Sequence, residues 1–401
     1  MTCSRPCAAD ARVAWTPWRR RWSGDSISHP FDRDRNERAA SARATDAEDR
    51  STATPRPSPP SSPAPAIHPT SQRSRRSAGR QLAAVCEVPS SSMDGRPLRA
   101  SDVESYARRV LGSSRLVAEH QPVGFGNDNW KLRFNGDCRF VVKIGHSASE
   151  AKLNSSHLAY ELASAAGLPV PELVHYGKAG DHLIRIFTWI SGHPTSTLVT
   201  RSEQSTRFLQ SLGEALRSLH SIRRDAFSSR LDDSAPTFPT WDAYVRYRLG
   251  QIRDRCLATK SVDVDLLDQV CAEATVLATT VDHAAEAVLS HRDLHPNNLI
   301  VSADGTLIGM IDWDAAEAWD RAGDWFKLEF ELLRWHPHGA NTLLDGYLQG
   351  DPIPHEWNER KRLVHLVETL NILPNAIARS WETEYSDRAR SHLLELLSKV
   401  Q

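Results

Sequence analysis

Three patterns of apolar spacing succeed one another along the chain. Up to Ser92 no helical or strand period is sustained, and residues 1–92 read as a disordered Arg/Ser/Pro-rich extension. From Met93 the pattern becomes globular. ASDVESYARRVLG predicts a helix capped by Ser101, with an acid in its first turn. Strand-like pieces follow: the alternating NWKLRF, a turn at Asn135-Gly136-Asp137, and the apolar CRFVVKI. A helix over about 149–166 ends at Gly167 and the Pro169/Pro171 pair, before two more strands, PELVHYG and HLIRIFTWI. Beyond Gly192 apolar residues recur at helical spacing, predicting helices over 203–222, 240–256, 262–278, 323–334, 340–349, 356–380 and 384–399. Only the 298–312 region is expected to interrupt them with strands. This order predicts an α+β protein of two lobes: an antiparallel sheet with one packed helix over 93–190, and a mostly helical lobe over 191–401.

Composition changes that picture mainly through its distribution. A chain of 401 residues that is 40% hydrophobic and 25% charged has an ordinary soluble composition. Residues 1–92 hold 15 Arg, no Lys and 9 acids, whereas 93–401 hold 34 basic and 41 acidic residues. The part expected to fold is mildly acidic, so no nucleic-acid partner is expected. An organelle transit peptide is the rival reading of the Arg/Ser-rich extension, but Asp32, Asp34, Glu37, Asp46, Glu48 and Asp49 argue against it; a start at Met93 is a third reading. The six cysteines are scattered without paired metal spacings, which fits a reducing, cytoplasmic setting. No apolar run approaches the ~20 residues that span a bilayer, so no membrane partner is expected.

The stretch HRDLHPNNLIVSADGTLIGMIDWD carries the chemistry. Two β-prone runs flank Asp304-Gly305, a dipeptide suited to a tight hairpin. If Ala303 pairs with Thr306, Asn298 falls opposite Ile311 and Asn297 opposite Asp312, so Asn298 and Asp312 meet at one end of the ribbon. An amide oxygen and a carboxylate so placed suit Mg2+ carrying substrate phosphates. Asp293, five residues before Asn298, is free to point at a substrate hydroxyl. The plainer alternative is a structural hairpin with solvated acids. The set His291-x-Asp293-x4-Asn298, hairpin, Asp312 is also the loop pattern of eukaryotic-type kinases.

HRDLHPNN and IDWD resemble the signatures of the aminoglycoside phosphotransferase and choline kinase family, written HGDLHPGN and IDWD or IDFD. The resemblance implies a protein-kinase-like fold over about 96–399 and transfer of the γ-phosphoryl of ATP or GTP to a hydroxyl of a small-molecule acceptor. It implies Asp293 as catalytic base, Asn298 and Asp312 as Mg2+ ligands, His291 as a loop brace, and Asp314 near metal or substrate. WDRAGDW resembles GDPxxDLA, with Asp320 and Asp324 as bracing acids and with Trp319 and Arg321 in place of the usual Gly and Pro.

VGFGNDNWKL resembles GGxSNxTYRV, so Gly124, Gly126 and Asn127 are implied to cradle phosphates. Lys143 in FVVKIG is implied to pair the α- and β-phosphates; a lysine snorkelling from a strand edge is the alternative. The helix glutamate that partners this lysine in the family should fall near Ser156, where this chain has LNSSHLAYE. HLIRIFTWISG resembles the strand leading to the inter-lobe hinge, with backbone groups around Phe187, Thr188 and Trp189 reading the adenine edge. In SLGEALRSLHSI, Leu212, Leu216 and Leu219 share a core face and His220 is expected to be a packed residue. A protein kinase is disfavoured because His295 stands two residues after Asp293, where such enzymes carry Lys, and no APE follows; a nucleotide-binding pseudokinase is the non-enzymatic alternative. The acids Glu317, Asp320, Asp324, Glu329 and Glu331 mildly favour a cationic acceptor such as an aminoglycoside or amino alcohol.

Overall fold

A computed structural model of the protein describes residues 86–87, 98–121, 128–146, 150–198, 202–381 and 383–398. The chain divides after Ser77, and all described residues lie in the unit Ala78–Gln401. Gly124, Gly126, Asn127 and most of the expected extension fall outside the described residues.

A six-stranded sheet organises the first half of this unit. It comprises β1 (Cys86–Glu87), β2 (Leu116–Gln121), β3 (Asp128–Phe134), β4 (Asp137–His146), β5 (Leu173–Ala179) and β6 (His182–Thr188), in the order β1-β5-β6-β4-β3-β2. Only the β1–β5 pairing is parallel. Asn135 and Gly136, at φ 51° and 93°, make a two-residue turn with Phe134 facing Asp137, a backbone these two residue types adopt with least strain. β1 lies inside the segment expected to be without structure. β2 is also an addition: LVAEHQ buries only Leu116 and Ala118, too short an alternation to register as a strand.

Two helices serve the sheet differently. α1 (Ala100–Leu111) covers one face with Val103, Tyr106 and Ala107, meeting Leu116, Trp130, Leu132, Val142 and Ile186. Its cap is Arg99 rather than Ser101, because the Asp102 carboxylate accepts the Arg99 N–H at 2.9 Å. α2 (Glu150–Ala165) belongs to the other core: Ala159, Tyr160 and Ala163 join Phe187 of β6 to the apolar interior of the helical half.

That half follows the helical periodicity closely: α3 (Glu203–His220), α4 (Trp241–Thr259), α5 (Val264–Val281), α7 (Ala340–Leu348), α8 (Trp357–Ala378) and α9 (Thr383–Ser398). Where a helix was expected over 323–334, the chain runs from a 3-10 turn (Arg321–Asp324) through α6 (Trp325–Lys327) into a π turn (Leu328–Leu332). The hairpin strands β11 (Leu299–Val301) and β12 (Leu307–Met310) are joined by β7 (His193–Pro194). They are not alone, as the sequence suggested. β8 (Phe227–Ser228), β9 (Thr237–Phe238), β10 (Ala287–Ser290) and β13 (Glu317–Asp320) form a second sheet in the order β10-β13-β8-β9. Strands of two to four residues leave no readable period.

Candidate active site

The hairpin delivers its polar end in the expected register by an unexpected route. Leu299 faces Met310, and the Ile311 N–H donates to the Asn298 carbonyl at 2.9 Å, so Asn298 lies beside Asp312. The turn, however, is not closed by Ala303 and Thr306. Ser302 N–H bonds the Thr306 carbonyl at 3.0 Å around a three-residue loop, with Gly305 at φ 91°. This shifts the strands by one residue, and a bulge that leaves Ile308 unpaired between Leu307 and Gly309 shifts them back.

β10 leads into the loop that carries His291, Arg292 and Asp293. Buried Asp324 holds that loop: its two oxygens accept the backbone N–H groups of His291 (3.0 Å) and Arg292 (2.6 Å). His220 meets the same carboxylate at 3.1 Å and Tyr347 at 3.0 Å, so it is the packed residue expected. Burial pushes the Asp324 carboxyl up, but the hydrogen bonds from His220 and the Arg292 N–H outweigh it and keep it ionised. His291 is fully buried, which lowers its pKa against the pull of Asp324 and Asp293. Its Nδ1 accepts the Asp293 N–H (3.3 Å), leaving Nε2–H to donate to the Ile311 carbonyl (3.0 Å). A neutral imidazole thus ties the loop to the hairpin.

Arg292 adopts φ 67° in a buried position, conformational strain that needs compensation. Its guanidinium lies 3.3 Å above the Trp319 ring and bonds the Gly323 carbonyl (2.9 Å) and Glu368 (2.8 Å). None of this was anticipated from the sequence.

Asp293 and Asn298 are joined directly: Asn298 Nδ2 donates to the Asp293 carbonyl (2.9 Å) and to its Oδ2 (3.2 Å). On the other side, Lys327 Nζ stands 3.6 Å from Asp293 Oδ1 and His295 Nε2 stands 3.7 Å from Oδ2. Burial raises the Asp293 pKa, yet Lys327 and His295 hold it below the usual carboxylate range. Lys327, half-buried, is kept protonated by Tyr385, Asp293 and Glu331.

The sheet supplies cations from the opposite side. Lys143 of β4 is 8% exposed, and its Nζ bonds Asp312 Oδ1 at 2.6 Å, bridging 169 positions of sequence. Asp314 Oδ2 lies 3.9 Å from the same nitrogen. Burial disfavours the charge, but Asp312 and Asp314 overcome it and hold the lysine protonated. Arg185 of β6 and Ser156 of α2 both reach Asp314. The sequence marked Ser156 only as a departure; a lone arginine in the apolar run HLIRIFT was the available sign of Arg185. Asp312 has φ 66° and its N–H meets Tyr160 Oη at 3.2 Å.

The Thr188 N–H is bonded to the Glu172 carbonyl (2.9 Å) and the Trp189 N–H to the Arg139 carbonyl (2.8 Å), while Phe187 is buried and paired on both sides in the sheet. Those N–H groups are therefore already bonded within the fold. The acidic cluster is likewise compensated from within. Glu317 faces Arg292 and Arg248, Asp320 pairs with Arg360, Asp324 with His220, Glu329 with Lys361 and His365, and Glu331 with Arg388 and Lys327. As a run these residues read as free anions; folded, Glu317, Asp320, Glu329 and Glu331 each meet an Arg or Lys, and Asp324 is bonded by His220 and two backbone N–H groups.

A two-lobed fold in which one hairpin gathers a carboxylate, an amide and a second carboxylate before a buried lysine is that of a kinase-like phosphotransferase. The profile of the phosphotransferase enzyme family (APH) matches residues 119–359, and the chain belongs to that family of enzymes, which act on alcohol hydroxyls. The fold is similar to that of a thermostable mutant of aminoglycoside phosphotransferase APH(4)-Ia in its apo form: TM-score 0.57, 16% identity, covering 74% of this chain and 98% of that one. It is also similar to a putative fructosamine-3-kinase from Haemophilus somnus 129PT, with TM-score 0.56, 16% identity and coverage of 74% and 96%. Macrolide 2'-phosphotransferase type I aligns with TM-score 0.51, 16% identity and coverage of 74% and 98%. No curated protein matches the chain in sequence. Among the described residues no helix is long and apolar enough to cross a membrane.

Proposed function

We propose that the protein is a small-molecule kinase that moves the γ-phosphoryl of ATP, or GTP, to a hydroxyl of an aminoglycoside- or amino-alcohol-like acceptor. The observation that carries this reading is the approach of Lys143 to Asp312 on the hairpin end that also holds Asn298 and Asp293. Asp293, held ionised by its cationic neighbours, accepts the acceptor's hydroxyl proton. The acceptor oxygen forms the new bond to the γ-phosphorus as the bond to the β-γ bridging oxygen breaks, and the nucleoside diphosphate leaves. His291 keeps the loop in register throughout.

The donor set fits Mg2+. Asn298 spends its amide N–H groups on Asp293, which turns its oxygen to the other side, and the Asp312 side chain is 40% exposed. When bound there, Mg2+ neutralises phosphate charge. Lys143 pairs the phosphates, Gly124, Gly126 and Asn127 cradle them, and Asp314 stands next to this set. The family, together with the hygromycin B and spectinomycin named for two fold neighbours, supports the acceptor class. The acidic cluster no longer supports it, because its carboxylates are paired.

The test is transfer of labelled phosphate from ATP and from GTP to aminoglycosides, choline, homoserine and macrolides, with Asp293→Ala alongside. At least one acceptor should be phosphorylated, and the variant should lose about 10²-fold or more in turnover while still binding nucleotide. Nucleotide binding without transfer to any acceptor would leave a pseudokinase instead, and transfer to generic proteins a protein kinase.

A further inference from the structure

We propose that Asp314 is the fixed counter-ion that positions Lys143, locked in place by Arg185 and Ser156, and that Asp312 alone of the two carboxylates is free to exchange Lys143 for another cation. This inference rests on the nucleotide-binding reading of Lys143.

Lys143 and Arg185 are directly opposite on β4 and β6, so both side chains leave the same face of the sheet. They are 8% and 1% exposed. Like charges facing each other across strands repel, and burial sharpens the repulsion. Asp314 meets that demand. Arg185 grips it with two prongs, Nη1 to Oδ1 at 2.9 Å and Nη2 to Oδ2 at 3.1 Å. Ser156 donates its hydroxyl to Oδ1 at 2.7 Å and accepts from Arg185 Nη1 at 3.1 Å. The side chain of Asp314 is 11% exposed.

Asp312, two residues earlier, is held otherwise. It takes Lys143 at 2.6 Å through one oxygen of a carboxylate that is 40% exposed. A carboxylate wedged between a buried guanidinium and a hydroxyl is poorly placed to rearrange around an incoming cation; one resting on a single flexible lysine can let go. When it does, Asp314 at 3.9 Å remains as the anion that keeps Lys143 in the cleft. Ser156 explains why this counter-ion comes from the turn after the hairpin (Trp313–Ala315) rather than from α2. Its small side chain leaves room for Arg185 and Asp314 to meet where a longer acid on the helix would stand.

The experiment measures ADP binding in EDTA by calorimetry, and separately the Mg2+ concentration giving half-maximal turnover. Asp314→Asn should weaken ADP binding in EDTA by about tenfold or more, with the Mg2+ requirement unchanged. Arg185→Met should share that loss, and the double variant Arg185→Met/Asp314→Asn should be no worse than either single change, since the two act as one unit. Asp312→Asn should show the opposite split: a raised Mg2+ requirement and undiminished ADP binding in EDTA. If Arg185→Met does not fold, as judged by circular dichroism, Arg185→Lys, which keeps the charge but loses the two-pronged grip, replaces it and should weaken ADP binding in the same direction. An Asp314→Asn protein that binds ADP normally in EDTA but needs more Mg2+ would make Asp314 a metal ligand and overturn the proposal while leaving the kinase reading intact. A wild-type protein that binds neither ADP nor ATP, with or without Mg2+, would overturn both.

Discussion

The guanidinium of Arg292 lies 3.3 Å from the centre of the Trp319 ring, and both residues stand where the resembled motifs carry glycine. A glycine accepts the left-handed backbone found at Arg292 (φ 67°) without strain, whereas arginine does not. Trp319, 1% exposed, gives that arginine a flat surface, and Glu368 and the Gly323 carbonyl complete its contacts. The two departures compensate each other. Trp319→Gly should therefore destabilise the protein by about 3 kcal/mol or more, part of it from the cavity left by the ring. In the double variant with Arg292→Gly the two losses should fall short of additivity by about 1 kcal/mol or more, read by urea unfolding of the four proteins in a double-mutant cycle. Strict additivity would mean the pair is not coupled.

Lys327 reaches Asp293 from an element that the sequence assigns to an ordinary helix. Its charge is among the influences that hold the Asp293 carboxyl down. Replacing it by methionine raises that pKa, so Asp293 loses its base form sooner on acidification. The acid limb of the kcat/KM profile should move to higher pH in Lys327→Met, with the loss of activity greatest at the acid end. A pH–rate profile that superimposes on the wild type would remove Lys327 from the site.

α3 and α7 touch through glycines. A Cβ on Gly213 would come within 2.4 Å of the Leu343 carbonyl and 2.6 Å of the Tyr347 nitrogen, and one on Gly346 within 2.4 Å of the Gln210 carbonyl. These obstacles are backbone and cannot rotate away. Gly213→Ala should force the helices apart at a cost of about 1–3 kcal/mol, despite the better helix propensity of alanine, and thermal unfolding should show it.

Glu329 gives the protein an acid-sensitive contact. Burial pushes its carboxyl up, but His365 at 3.0 Å and Lys361 at 2.6 Å outweigh this and bring it down to about 2, from an ordinary value of 4.5. His392 lies against His365 at 2.9 Å on the far side of the pair. A depressed carboxylate contributes stability above its unfolded pKa and loses it as pH falls toward its folded value. Glu329→Gln should lower the urea midpoint at pH 6 and flatten its fall between about pH 4.5 and 2. An unchanged slope would show that the contact carries no linked protonation.

Local chemistry made much of this protein legible. Helices such as Glu203–His220 and Trp357–Ala378 announce themselves by apolar periodicity over many residues, because a helix face is a short-range property of the chain. His291, Asp293, Asn298 and Asp312 could be read as one set because a hairpin is the shortest route by which sequence distance becomes spatial proximity. Even there the correct register came from a turn and a bulge that offset each other, since only the fold decides where an extra residue is accommodated. Tertiary structure alone brought Lys143 to Asp312, Arg185 and Ser156 to Asp314, and Lys327 to Asp293. It alone also gave each acid of the 317–331 cluster its partner. Such pairings depend on which buried charge finds which partner across folded elements, and no spacing along the chain encodes that choice.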